Sequence, residues 1–292
     1  MVRALHLLDA TYELFRAYFA TPKHTDASGR EVGAVRGLIA STLALLRELE
    51  VTHVAAATDH VIESFRNGLF AGYKTGAGVP ADLLAQFDVA EEALRALGLV
   101  VWPMVEFEAD DALATAAARF AGQCEQIVIV SPDKDLCQCV RGRRVVTHDR
   151  QRGKTYDDAA VEAKFGVAPG ALPDWLALVG DAADGIPGLP GFGPKTAAVV
   201  LRRYGAIENI PDDGAVWDVP LRGTERLAAT LAARRADAAL YKRLATLRTD
   251  VPLRESLPEL RWQGARRTAY AALCARLGFQ GLSDRPQRWQ EG

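Results

Sequence analysis

An α/β core with a mostly parallel central sheet flanked by helices, joined to a C-terminal helical subdomain, is the fold class that three features of this sequence predict. Strand-like and helix-like segments alternate over roughly the first 150 residues, helical segments alone follow, and acidic residues recur just beyond the predicted strand ends.

Taken in order, Ala4 to Ala10 reads as a short buried strand, and Val32 to Glu50 carries helical spacing through Val35, Leu38, Ile39, Leu43 and Leu46. His53 to Ala57 is a second strand. The stretch from about Ile62 to Pro80 has poor periodicity and holds Gly68, Gly72, Gly76 and Gly78, which predicts a mobile excursion above the sheet. Ala81 to Leu97 is a helix, Leu99 to Trp102 a third strand, Ala109 to Phe120 a helix, and the β-branched run Gln126 to Val130 a fourth strand. Beyond Arg150 the expected helices are Asp157 to Phe165, Pro173 to Val179, Pro194 to Tyr204, Arg222 to Leu247 and Ala265 to Leu277. The pattern change divides the chain into a core over 1–165 and a helical subdomain over 166–292.

With 292 residues, 49% of them apolar, the chain can bury a sizeable core. Its formal charge of −2 argues against an anionic partner only on the surface, because neutralising the nine carboxylates nominated below leaves +7. The four cysteines are scattered, which suits a reduced compartment, and Cys137 and Cys139 lack the second pair that a zinc site requires. The N-terminus is too poor in apolar residues for a signal peptide, and no later apolar run approaches eighteen residues. A soluble, cytoplasmic monomer without membrane contact is expected.

The acidic residues carry the chemistry. Asp9 follows the first strand, Asp59 the second, Glu108, Asp110 and Asp111 the third, and Asp133 and Asp135 the fourth, at the sheet edge where ligands bind in open α/β folds. Asp181 and Asp184 add a pair at a helix end. Two bare carboxylates about 5 Å apart repel by roughly 3 kcal/mol at an effective dielectric near 20, so such a cluster calls for cations. All-oxygen ligands select hard ions such as Mg2+ or Mn2+, and two of them can activate water and stabilise the leaving oxygen of a phosphodiester. Singly, an Asp after a strand is better explained as a turn or helix cap, as for Asp9 or Asp59 alone, and Asp110 can simply begin its helix. It is the coincidence of Glu-Ala-Asp-Asp, Asp-Lys-Asp and Gly-Asp-Ala-Ala-Asp that favours metal.

The stretches LLDATYELFRAYFA, SFRNGLFAGYK, EFEADDALAT, VSPDKDL, LALVGDAADGIPGLPGFGPKTAAVVL and LATLRTDVPL together resemble the 5′-nuclease family of the flap endonucleases and the N-terminal domain of bacterial DNA polymerase I. The resemblance runs from Leu7 to about Leu253. It implies a PIN-like nuclease core, two or more divalent ions, a 5′-phosphate product, and nicks, flaps, 5′ ends or branched duplex DNA as substrates. It assigns Asp9, Asp59, Glu108 and Asp110, with Asp111 close by, to one metal cluster, and Asp135, Asp181 and Asp184 to a second, with Asp133 between the ions. The length leaves no room for a fused polymerase, so an unlinked polymerase or ligase is the expected company.

Two further segments match. Gly185 to Gly193 precedes Pro194, Lys195 and Thr196, a glycine-lined helix start at which phosphate can approach backbone N–H groups. It resembles the family's helix-three-turn-helix, here over about 173–205, which grips duplex backbone and uses carbonyl groups to hold a monovalent ion such as K+. Gly188, Gly191, Gly193, Lys195 and Thr196 are the expected contacts, with Lys195 foremost. The excursion over 62–80 matches the family's arch, which implies that Arg66 and Lys74 face the scissile phosphate and that Tyr73 stacks on a base. Ala77 stands where family members commonly carry arginine, Ala10 replaces a glycine, and Gly185 replaces an asparagine. Trp102, Trp175 and Trp262 are expected in the core. Two other readings are a junction-binding protein without catalysis and a magnesium phosphatase, the latter opposed by Thr11 where a second aspartate is needed.

Overall fold

The computed structural model describes residues 1–48 and 51–290. In chain order the main elements are β1 (Val2–Asp9), α1 (Ala10–Ala20), α2 (Gly33–Glu48), β2 (His53–Asp59), α3 (Phe65–Leu69), α4 (Ala81–Leu84), α5 (Phe87–Ala96), β3 (Val100–Met104), α6 (Ala109–Phe120) and β4 (Cys124–Val130). They continue with β5 (Val145–Asp149), β6 (Lys154–Tyr156), α7 (Asp158–Phe165), α8 (Leu172–Val179), α9 (Pro194–Tyr204), α10 (Thr224–Ala233), α11 (Arg235–Ala245), β7 (Ala265–Arg266), α12 (Arg267–Leu277) and β8 (Trp289–Gln290). The end of the predicted second segment, Leu49 and Glu50, lies outside the described residues.

Two compact units form, interleaved in sequence. The first holds 1–62, 76–131 and 249–292, and the second 63–75 and 132–248. Residues 249–290 thus group with the N-terminal stretch. The reason is packing: Tyr270, Leu273, Cys274 and Leu277 of α12 are buried in the same apolar cluster as Leu38 and Ile39 of α2 and Leu94 of α5.

In the first unit the strands run parallel in the order β3-β2-β1-β4. Register aligns Asp9 with Ala57, Asp59 with Met104 and Leu8 with Val130, so the strands finish along one edge. Side chains alternate along β1: Leu8 joins the cluster under α1, α2 and α5, while Leu5 and Leu7 face the other way, and α6 packs against all four strands. Pro103 lies on β3, at the outer end of this strand order, where a missing N–H is tolerated.

The second unit has its own core, with Leu172, Leu176 and Leu178 of α8, Val200 and Leu201 of α9, and Tyr241 and Leu244 of α11. The antiparallel pair β5–β6 belongs to it; β6 lies beyond Arg150, where helices alone were predicted.

Several expected segments differ in detail. α1 was not anticipated. The helix predicted over 81–97 is broken at Ala85 and Gln86, where the fully buried Gln86 amide accepts from Val35 N at 3.2 Å and donates to Asp82 O at 2.9 Å. The helix predicted over 222–247 divides at Arg234, whose backbone is non-helical (φ −123°). The excursion over 62–80 contains α3, started by a capping box between Ser64 and Asn67. Trp102, Trp175 and Trp262 are buried, as expected. Among the described residues no helix is long and apolar enough to cross a membrane.

Candidate functional site

Five of the nine nominated carboxylates lie in the first unit, and local donors engage Asp9, Asp59, Glu108 and Asp111. Asp9 ends β1 and caps α1: one oxygen accepts from Tyr12 N at 2.9 Å and the other from the Ser131 hydroxyl at 2.8 Å. In the order β3-β2-β1-β4 the chain reverses direction across the sheet between β1 and β4, so Asp9 and Ser131 stand at the switch point where such sheets bind ligands. Asp59 Oδ1 accepts from Ala109 N at 2.7 Å, and Asp59 N donates to Thr11 Oγ1 at 2.7 Å, which ties the end of β2 to α1 and α6. Glu108 and Asp111 form a capping box on α6, with Asp111 accepting from Glu108 N at 3.0 Å. Asp110 sits half-buried in the first turn of that helix. The positive N-terminal ends of α1 and α6 thus offset part of the charge of this group.

The other four lie in the second unit. Asp135, Asp181 and Asp184 each bring a carboxylate oxygen within 4.8 Å of the others, the one such group among the described residues. Asp135 opens a short 3-10 turn after Val130 and is 7% exposed. Asp181 is 6% exposed and is held by paired backbone hydrogen bonds with Ile186, both 2.8 Å. Asp133 is exposed, and one of its oxygens accepts from Asp135 N at 2.8 Å.

Two lysines neutralise this group. Lys134 Nζ lies 2.5 Å from Asp181 Oδ2 and 3.7 Å from Asp135 Oδ1, and Lys74 Nζ lies 3.0 Å from Asp184 Oδ1. Burial, then the charge on Asp133, pushes the Asp135 carboxyl well above its ordinary range, with Lys134 pulling the other way. Burial disfavours the charged form of Lys134, yet Asp135, Asp181 and Asp133 outweigh it and hold the ammonium above its usual range. The donor set fits a hard divalent cation: three carboxylates converge, and buried Asp135 Oδ1 accepts no hydrogen bond.

The segment before Thr75 supports the same group. Lys74 N donates to Asp184 O at 3.0 Å, and a Cβ on Gly185 would lie 2.1 Å from the Gly72 carbonyl oxygen, so the approach of these two backbones requires glycine at 185, where φ is +73°. Tyr73 is 4% exposed and packs in the second core, with its hydroxyl 3.5 Å from Asp184 Oδ2. Its ring is buried in this conformation, whereas the expected stacking on a base needs an open face. Arg66 is also interior, at 1% exposed. Its guanidinium donates to the Leu244 carbonyl at 2.8 Å and the Thr246 carbonyl at 3.2 Å, satisfying the C-terminal end of α11, so the structure gives it an architectural task that the sequence did not suggest.

Downstream, α8 and α9 are joined by an ordered connection in which Leu189 N returns to Leu178 O at 2.8 Å. Gly188 is forced: a Cβ there would meet the Val179 backbone at 2.5 Å. Gly191 and Gly193 are exposed, Pro194 occupies the first turn of α9, Lys195 is exposed and Thr196 half-buried.

Residues 4–166 match the family described as 5′-3′ exonuclease, N-terminal resolvase-like domain, and residues 167–268 match 5′-3′ exonuclease, C-terminal SAM fold. The chain belongs to the 5′-3′ exonuclease family. Among its relatives, the 5′-3′ exonuclease of Aquifex aeolicus is 31% identical over 261 residues, covering 89% of this chain and 87% of that protein. DNA polymerase I of Bacillus caldotenax is 34% identical over 290 residues, covering 98% of this chain and 32% of the relative. The chain thus spans about a third of the length of the polymerase relatives it matches. In fold it is similar to a bacteriophage T5 flap endonuclease solved as a pseudo-enzyme-product complex with DNA and metal ions, at 19% identity and a TM-score of 0.66, covering 97% of this chain and 98% of that one.

Within this 5′-3′ exonuclease framework, the residue that sequence reasoning passed over is Lys134. Its signal was present in Asp133-Lys134-Asp135, a cation between two acids, but only the fold brings Asp181 to it.

Proposed function

We propose that the chain is a structure-dependent, divalent-metal-dependent 5′-3′ exonuclease and flap endonuclease that hydrolyses DNA phosphodiesters to leave 5′-phosphates in replication and repair. The observation that carries the reading is the buried convergence of Asp135, Asp181 and Asp184 in a chain of the 5′-3′ exonuclease family. Asp9, Asp59, Glu108, Asp110 and Asp111 hold one set of ions, and Asp135, Asp181 and Asp184, with Asp133, another. Mg2+ or Mn2+ bound there would supply an activated water and charge neutralisation at the leaving oxygen, in the manner of a two-metal centre.

The chain's own residues orient the strand. Lys74, held beside Asp184, offers an ammonium to a phosphate, and Arg66 acts by fixing the segment that carries it. Lys195, Thr196 and the amides beside Gly188, Gly191 and Gly193 hold duplex backbone at the start of α9, where loop carbonyls also accept a monovalent ion such as K+. Tyr73 contributes by packing beside Asp184, and base stacking by its ring requires a rearrangement of the segment. We place the protein in the cytoplasm, as a monomer acting beside a polymerase or ligase activity.

Gel assays on 5′-labelled flap and nicked duplexes test this. Cutting is expected with Mg2+ or Mn2+, none in EDTA, and little from Asp133→Ala. Tight binding of branched DNA without cutting under any metal would leave a junction-binding protein instead, and hydrolysis of para-nitrophenyl phosphate alone would indicate a phosphatase.

A further inference from the structure

The three converging carboxylates of the second unit are already served by ammonium groups, and one lysine serves two of them. Lys134 lies 2.5 Å from Asp181 and 3.7 Å from Asp135, while Lys74 takes Asp184. Lys134 is tethered between Asp133 and Asp135 by its position in the chain, and its side chain is about a third exposed, so the ammonium has a route to solvent without the turn unfolding. Asp135 Oδ1 is buried and accepts no hydrogen bond, with the Lys134 ammonium 3.7 Å away, so a divalent cation can take this oxygen at closer range. A lysine at this point and a divalent ion on the same oxygens compete for the same charge.

We propose that Lys134 is a displaceable counter-ion of the second metal group: its ammonium holds Asp181 and Asp135 together in the metal-free protein and has to leave them when a divalent cation binds. The inference rests on Asp135, Asp181 and Asp184 being metal ligands. It has two consequences. Lys134 keeps the metal-free fold intact at the expense of cation affinity. Once displaced, it is a mobile cation beside the metal group, and an added anion such as a DNA phosphate stabilises that displaced position. Metal and DNA therefore favour each other through Lys134.

The test uses the full chain and MnCl2. Mn2+ binding is followed by calorimetry and by electron paramagnetic resonance, and the component that Asp181→Asn removes is assigned to the second group. Lys134→Met is expected to tighten that component about tenfold or more, since a unit charge some 4 Å away opposes the cation. It should also lower the thermal midpoint in EDTA, with the deficit shrinking in Mn2+. Lys134→Arg should behave as wild type, and Lys134→Gln replaces the Met variant if that fails to fold. Unchanged or weaker Mn2+ binding by the neutral variants, with a midpoint lowered equally in EDTA and Mn2+, would mean that Lys134 is only a structural ion pair and would overturn the proposal. Failure of the underlying metal assignment looks different: Asp181→Asn would then bind Mn2+ as wild type does.

Discussion

The two acidic groups of this molecule are both built of carboxylates and have opposite means of support. In the first unit the carboxylates double as helix caps: Asp9 holds the start of α1, and Glu108 and Asp111 hold the start of α6. In the second, Asp135, Asp181 and Asp184 lean on the ammonium groups of Lys134 and Lys74, and Asp135 sits buried with one oxygen unbonded. The first group therefore stabilises its unit even without metal, while the second holds repulsion that Lys134 and Lys74 offset in part. Capping and metal binding are thus not rival explanations at Asp9: a capping carboxylate with a second oxygen turned toward Ser131 is prepositioned for a ligand without strain.

The largest expected effect separates metal from architecture. Asp181→Asn should lower Mn2+ affinity and flap cutting by on the order of 100-fold or more, because a neutral amide replaces one of three converging anions. Retention of both would remove the second group from the chemistry. Next come the stabilities, where the two groups should respond with opposite sign in EDTA. Asp9→Ala should cost about 2 kcal/mol, the sum of a lost cap and a lost buried hydrogen bond, seen as a lower thermal midpoint. Asp135→Asn should raise the midpoint by about 2–4 °C for roughly 1 kcal/mol of relieved repulsion. A fall in both would erase the distinction drawn between the groups.

A pH series sharpens the smaller effect. The Asp135 carboxyl is raised in the folded state, so its ionisation penalises folding as pH climbs from the unfolded carboxylate value through the folded one. The advantage of Asp135→Asn in EDTA should consequently be absent below the unfolded carboxylate range and grow as pH rises through it. An advantage constant across that range would assign it to packing.

Much of the fold was legible because periodicity reports burial directly. The strands β1 to β4 and the helices α6, α8 and α9 follow from it, and α6 and α9 begin and end where the pattern says. The misses have local causes. Gln86 breaks an otherwise helical run through side-chain bonds to α2 and α4, partners that spacing along one segment does not reveal. α3 is specified by a four-residue capping box in a glycine-rich context that reads as loop.

The sequence by itself determined the alternation of strands and helices and which residue types could bind hard cations, since these depend on composition and near-neighbour spacing, and its motifs carried the resemblance to the family. Tertiary structure alone decided that 249–292 packs with the first unit, that Arg66 and Tyr73 turn inward, and that Asp181 reaches Lys134 across 47 positions of chain. Those outcomes depend on which apolar surfaces and charges meet after collapse, and pairings between distant residues leave no trace in local pattern.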